Sequence, residues 1–224
     1  MIVLGIIEAE AKGARFLYRT GPSFVGVRGG QEPPAALAAA EIPTRSGSGL
    51  VVVGSHTELT TRQLARAQAR HDLQTVELRV SEIASGRGRR EARLAGAALA
   101  SALRRGDAAL MTTRRFADAG VAIANLRLGR LVADALVETI AGLDPDVQLS
   151  WIVAKGGITS SEVATRALKA SRATVAGQLF PGLVSLWVLG EQSRWPNVPF
   201  VVFPGNVGDD DALADTLDRL AGNA

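Results

Sequence analysis

Three short stretches combine glycine, hydroxyl and charged side chains in patterns that suit an oxyanion. The first is Gly54-Ser55-His56-Thr57-Glu58-Leu59-Thr60-Thr61. Gly54 permits a tight bend, Ser55 supplies a hydroxyl, and Thr60 or Thr61 is placed to cap a following helix. The second is Lys155-Gly156-Gly157-Ile158-Thr159-Ser160-Ser161. Its two glycines let backbone N–H groups approach a ligand, three hydroxyl residues follow, and Lys155 adds positive charge; this is the chemistry of a phosphate cradle. It is not a Walker A loop, because the lysine precedes the glycines. The third is Pro204-Gly205-Asn206-Val207-Gly208-Asp209-Asp210-Asp211. Its acidic run suits a helix N-terminus through the macrodipole, and Asp209 and Asp210 are alternatively candidate Mg²⁺ ligands alongside nucleotide phosphates. Each turn also has a plainer reading as a strand–helix connection with no ligand.

Other chemistries have less support. There is no cysteine, which excludes a disulfide framework, a thiolate metal site and a cysteine nucleophile. His56 and His71 are too far apart for a helical metal pair, and His71-Asp72 reads as a partner for a helix C-terminus. No Gly-x-Ser-x-Gly elbow occurs, so a hydrolase triad is not indicated. Arg87, Arg89, Arg90 and Arg93 read as a solvated helix face.

The elements that must carry these turns follow from periodicity. Leu50–Val53, Val76–Val80, Ala108–Thr112, Trp151–Ala154 and Phe200–Phe203 read as buried strands. Thr60–Arg70, Arg89–Arg104, Val121–Ala141, Thr159–Leu168 and Asp211–Leu220 read as helices between or after them. In Arg89–Arg104 the inward face is assigned to Leu94, Ala98 and Leu103. In Val121–Ala141 it is assigned to Leu128, Leu131, Val132, Ala135, Leu136 and Ile140. Thr159-x-x-Glu162 matches a capping box. Val175–Leu179 and Val184–Val188, separated by Pro181-Gly182, read as a hairpin. The expected fold is α/β: a largely parallel or mixed sheet flanked by helices, with a late antiparallel hairpin. In such sheets ligands sit beyond the carboxyl ends of the strands, where all three glycine turns fall.

The first 49 residues are different. Ile2–Ala14 reads as a helix and Arg15–Thr20 as a strand, so 1–25 resemble a remnant packed on the domain. Residues 26–49, with Pro33-Pro34 and Gly47-Ser48-Gly49, read as a flexible connection to an α/β domain at 50–224.

Composition narrows the class further. Of 224 residues, 47% are hydrophobic, enough for a packed core. The net charge is only +3, yet the pI is about 9.9, because nearly all the basic residues are arginine. That balance argues against a nucleic-acid partner. No apolar run spans a bilayer, and the apolar start meets Glu8 and Glu10 at once, so a cytoplasmic protein without a membrane partner is expected.

The run Ala154–Thr165, followed by Gly177-Gln178-Leu179-x-Pro181-Gly182 and Phe203–Asp210, resembles the nucleotide-binding signature of the four-carbon acid sugar kinases. So do Val53-Gly54-Ser55 with Thr60-Thr61-x-Gln63, and Arg15–Thr20 ahead of them. The resemblance runs from about residue 8 to the end. It implies ATP-dependent phosphorylation of a sugar acid such as threonate or erythronate, with ATP contacts at Ser55, at Gly156, Gly157, Ile158 and Thr159, and at Gly205. Lys155 is added on its charge. The family's N-terminal substrate domain carries an Asp-Asp-x-Thr-Gly type motif, which this sequence lacks. The expectation is therefore a C-terminal, ATP- and Mg²⁺-binding half that meets its sugar acid through a separate domain, with no catalytic residue assigned. The alternative is a non-catalytic nucleotide-binding or regulatory domain. The oligomer is left open, a homodimer among the options.

Overall fold

The computed structural model describes residues 1–32, 35–113, 122–181 and 184–222. Seven strands form one mixed sheet: β1 (Ser48–Val53), β2 (Gln74–Leu78), β3 (Ala108–Thr112), β4 (Leu149–Lys155), β5 (Ala173–Phe180), β6 (Val184–Leu189) and β7 (Pro199–Phe203). Their order is β2-β3-β1-β4-β7-β6-β5. The five strands from β2 to β7 in that order run parallel, while β6 pairs antiparallel with both β7 and β5. The expected α/β class, the parallel portion and the late hairpin are all present.

Helices cover both faces, because the central strands are apolar on both sides. Leu50, Val52 and Ile152 pack with Leu99 of α5 (Gly88–Leu103) and with Leu136 and Ile140 of α6 (Ala122–Ala141). Val51, Val53 and Val153 pack with Leu64 of α3 (Glu58–Arg70) and with Leu213 and Leu217 of α8 (Ala212–Leu220). Strand alternation thus sends neighbouring residues into two separate cores. The remaining helices are α1 (Ile2–Ala11), α2 (Pro22–Arg28), the single turn α4 (Val80–Glu82) and α7 (Gly157–Glu162).

Several expectations are corrected. Residues 15–20 form no strand; the segment runs without a ladder partner between α1 and α2. The connection after it is partly built: α2 occupies its beginning, Leu37 N–H donates to Gln178 C=O of β5 at 2.9 Å, and Ile42 is buried. Pro33-Pro34, Val121 and Gly182 lie outside the described residues. Leu103 is buried as expected, but Leu94 and Ala98 are exposed, and α5 buries Ala92, Ala95, Leu99 and Ala102 in their place. The error is one of phase: small alanines, not the larger Leu94, let α5 lie close to the sheet. Leu131 is likewise exposed. The capping box at Thr159 does not form, because the helix begins two residues earlier with Gly156 as its N-cap. Glu162 pairs with Arg166 instead.

Candidate functional site

The chain leaves β1 toward β2 and β3 on one side and leaves β4 toward β7 on the other. The sheet therefore has its switch point between β1 and β4, where α/β folds open a crevice at the carboxyl end. Val53, Lys155 and Phe203 stand in register on adjacent strands β1, β4 and β7. Their next residues begin the three glycine turns, so register alone brings segments about a hundred and fifty positions apart to one edge.

The turns interlock. Gly156 N–H donates to Phe203 C=O at 2.7 Å, joining the second turn to the third. The Thr57 and Thr60 hydroxyls lie 2.9 and 3.0 Å from Gly205 C=O, joining the first to the third. Thr60 Oγ1 is also 3.2 Å from Ser55 Oγ. The N-cap of α3 is Thr57, which accepts from Thr60 N–H; Thr60 and Thr61 lie inside the helix. Gln63 of α3 is fully buried and donates to Val207 C=O at 3.0 Å and to Asp209 C=O at 2.6 Å, holding the third loop. Ser160 Oγ lies 2.8 Å from the carbonyls of Ala154 and Gly156, bracing the second.

Glycine lets the turns come close where they meet. A Cβ on Gly54 would overlap Thr159 Oγ1, and one on Gly205 would lie 2.7 Å from Ser55 Oγ. Gly156 adopts φ +116°, a conformation that side chains rarely accept. Gly157 is different: a Cβ there meets nothing within 4 Å, so the second turn opens outward at that point. Gly156 thus lies beside both Ser55 and Thr159, Gly205 lies beside Ser55 and near Gly156, and Gly157 and the exposed Ile158 continue from them.

Lys155 sits beneath this edge. Its side chain follows Trp151 and Val153 onto the α3–α8 face of the sheet and is wholly buried. Nζ donates to Pro204 C=O at 2.8 Å and lies 3.7 Å from the centre of the Phe203 ring. Burial pulls its pKa down to about 7, while the ring face and the carbonyl favour the cation. Lys155 braces the turns from below, which is not the exposed phosphate partner its charge had suggested.

The acidic run is also engaged within the protein. Asp210 receives Arg62 Nε at 2.9 and 3.0 Å, and Asp209 Oδ1 accepts Asp211 N–H at 3.2 Å at the start of α8. Among the described residues no group of three or more His, Cys, Asp or Glu is placed to hold a metal ion.

Beside the turns lies a cleft of about 1050 Å³ between α6, α7 and the end of β1. Gly54 and Thr159 line it, and Leu126, Val132, Leu136 and Ile158 supply apolar surface. Leu126 and Ile158 are 72% and 78% exposed, so this apolar lining is open to a ligand. His56 also lines it, with Nε2 3.4 Å from Thr112 Oγ1. Sequence reasoning set His56 aside and did not find Leu126; the only local signal for His56 is its position next to Ser55.

A crevice of this kind, at the switch point of a doubly wound sheet, belongs to the nucleotide-binding class of α/β domains. The model of a family described as the nucleotide-binding C-terminal domain matches residues 50–213, and the chain belongs to that family. This bears out the resemblance to the four-carbon acid sugar kinases, whose C-terminal domain it is. No curated protein matches the sequence. Among solved structures, the chain is similar to a domain of unknown function (DUF1537) from Bordetella bronchiseptica, a domain-swapped dimer with bound citrate. Identity is 24%, with 81% of this chain and 42% of that chain covered, at a TM-score of 0.64. A second crystal form of that protein gives 24%, 78%, 39% and 0.59. A Salmonella typhimurium LT2 protein with a provisional tRNA synthase label gives 20%, 80%, 42% and 0.60. These identities speak to the fold. The chain spans about two fifths of the length of each of these structures. No described helix is long and apolar enough to cross a membrane.

Proposed function

We propose that this domain binds ATP and presents its terminal phosphoryl group to a four-carbon sugar acid held by a separate substrate domain. The observation that carries the reading is the convergence of Ser55, Gly156, Thr159 and Gly205 at one edge, with Thr159 Oγ1 seated against Gly54 and Ser55 Oγ against Gly205. Phosphoryl transfer depends on positioning and charge neutralisation more than on covalent chemistry. Backbone N–H groups at Gly157 and Ile158 and the hydroxyls of Ser55 and Thr159 are the donors offered to the phosphates. The apolar cleft beside them is large enough for the nucleoside. Mg²⁺ would neutralise phosphate charge. Of the two acids assigned to it, Asp210 is committed to Arg62, so Asp209 alone is retained, bridging through water. A sugar acid, a homodimer and a cytoplasmic location belong to the same proposal.

The second reading, a nucleotide-binding domain without turnover, is favoured by one feature. Lys155, the lysine nearest the turns, is buried against Pro204 and Phe203 and is not offered to a transferring group. A kinase assay on threonate and erythronate, with the chain alone and with a domain bearing the Asp-Asp-x-Thr-Gly motif, separates the two.

Calorimetric titration with Mg-ATP tests the shared core. Saturable binding is expected, and at a hundredfold excess over Kd it stabilises the fold by about 2.7 kcal/mol. Gly157→Val is the clean variant, since open space surrounds that position. It should keep the melting temperature and lose nucleotide binding by at least tenfold. An unaltered affinity would remove the second turn from the site.

A further inference from the structure

The four arginines that read as a solvated helix face also line a concavity. A cleft of about 630 Å³ is bounded by the π-helical turn Ile83–Arg87, the first turns of α5, and Leu131, Asp134 and Glu138 of α6. Gly86, at φ +83°, turns the chain into α5, and a Cβ there would meet nothing within 4 Å, so the mouth stays open. Arg87, Arg89, Arg90 and Arg93 all line it.

The local acids pair with two of the four arginines and leave Arg90 and Arg93 without an ion pair among the described residues. Arg87 is held by Glu82 at 2.6 and 3.2 Å. Arg89 approaches Glu138 only to 3.9 Å, and Asp134 is taken by Arg166 at 2.7 Å. Among the described residues Arg90 and Arg93 make no ion pair. Arg90 and Arg93 are three residues apart, and Arg89 and Arg93 four, so like charges face each other along one helix side. They do so in the first turns of α5, at the end of a helix where cations are least favoured. Repulsion of this kind, concentrated in a concave wall of guanidinium forks, is relieved by an oxyanion that accepts paired N–H bonds.

We propose that this cleft binds a small, multiply charged oxyanion, either a phosphate ester or a polycarboxylate. Asp134 lines both this cleft and the larger one, so the anion would sit across α6 from the proposed nucleotide. The proposal does not depend on that nucleotide. The concave shape and the few arginines favour a compact anion over a nucleic-acid strand, which needs an extended basic track.

The test is calorimetric titration of the full chain with pyrophosphate, with tricarballylate and with a single-stranded RNA oligonucleotide. Both proteins carry Gly157→Val, which removes the second turn as a competing phosphate site; one keeps the arginines and the other adds Arg90→Ser and Arg93→Ser. At least one small anion should bind the first saturably, and the one that binds names the source as phosphate or carboxylate. The arginine replacements should weaken it tenfold or more, and added salt should weaken it further. Both arginines are exposed, so an unaltered melting temperature is expected; Arg90→Gln alone serves as the check if the pair destabilises the chain. Equal affinity in the two proteins overturns the proposal. So does absence of saturable binding by both anions, or RNA binding tighter than either anion.

Discussion

At the scale of single residues, the site depends on what is missing from its side chains. Gly54 leaves room for Thr159 Oγ1, and Gly205 leaves room for Ser55 Oγ. Gly54→Ala should destabilise the fold by about 1–3 kcal/mol through overpacking. Adding Thr159→Ala should recover part of that loss, giving a non-additive pair in denaturant unfolding. Equal and additive losses would show that the two positions do not meet. Lys155 makes a separate prediction. Its pKa is about 7 folded against an ordinary 10.5, so the unfolded chain binds more protons between those values. Stability should therefore rise as pH increases from about 7 to about 10.5. Below pH 7 the cost of burying the cation is fully present. Lys155→Met should flatten that rise, read as unfolding midpoints at pH 7, 8, 9 and 10. An identical slope in the variant would assign the pH dependence to other groups.

At the scale of elements, α3 governs the third turn. Gln63 spans from α3 to the carbonyls of Val207 and Asp209, and Arg70 ties the end of α3 to Asp211, Asp215 and Asp218 at and within α8. Gln63→Leu keeps the volume roughly constant but strands two carbonyls, which should cost about 1–3 kcal/mol. It should also weaken Mg-ATP binding through Gly205, although Gln63 itself touches no proposed phosphate. A stability loss with unchanged affinity would uncouple α3 from the site. Periodicity made α3, α5, α6 and α8 legible because each has one apolar stripe. It misplaced the α5 face because Ala and Gly at 92, 95, 96 and 102 carry little hydrophobic signal, while the sheet selects them for close approach. It misjudged the start of α7 because a glycine N-cap leaves no side-chain signature.

At the scale of the whole molecule, the sheet and its two helical layers form one body, and the hydrogen bonds and ion pairs described for residues 1–31 all fall within that segment. The principal packing partner of α1 is α2, and Ile2, Leu4, Leu17, Val25 and Val27 are exposed. Brief trypsin treatment should cut first at Arg15, Arg19 or Arg28 and leave a core retaining the melting temperature of the full chain. A drop in melting temperature on cleavage would show that this arm supports the sheet. The expectation of a strand at 15–20 failed because a strand needs a partner edge, and no described strand pairs with those residues. Alternation of apolar runs with helical stripes was sufficient to read an α/β sheet with a terminal hairpin, since burial on both faces leaves a continuous apolar signature. The glycine, hydroxyl and lysine types marked the three turns as candidates. Whether those turns meet was not readable, because adjacency of β1, β4 and β7 arises from strand order and register. Only the tertiary structure turned Lys155 inward, committed Asp210 to Arg62 and curved the arginines of α5 around a cleft, since each outcome depends on which distant element fills the space beside them.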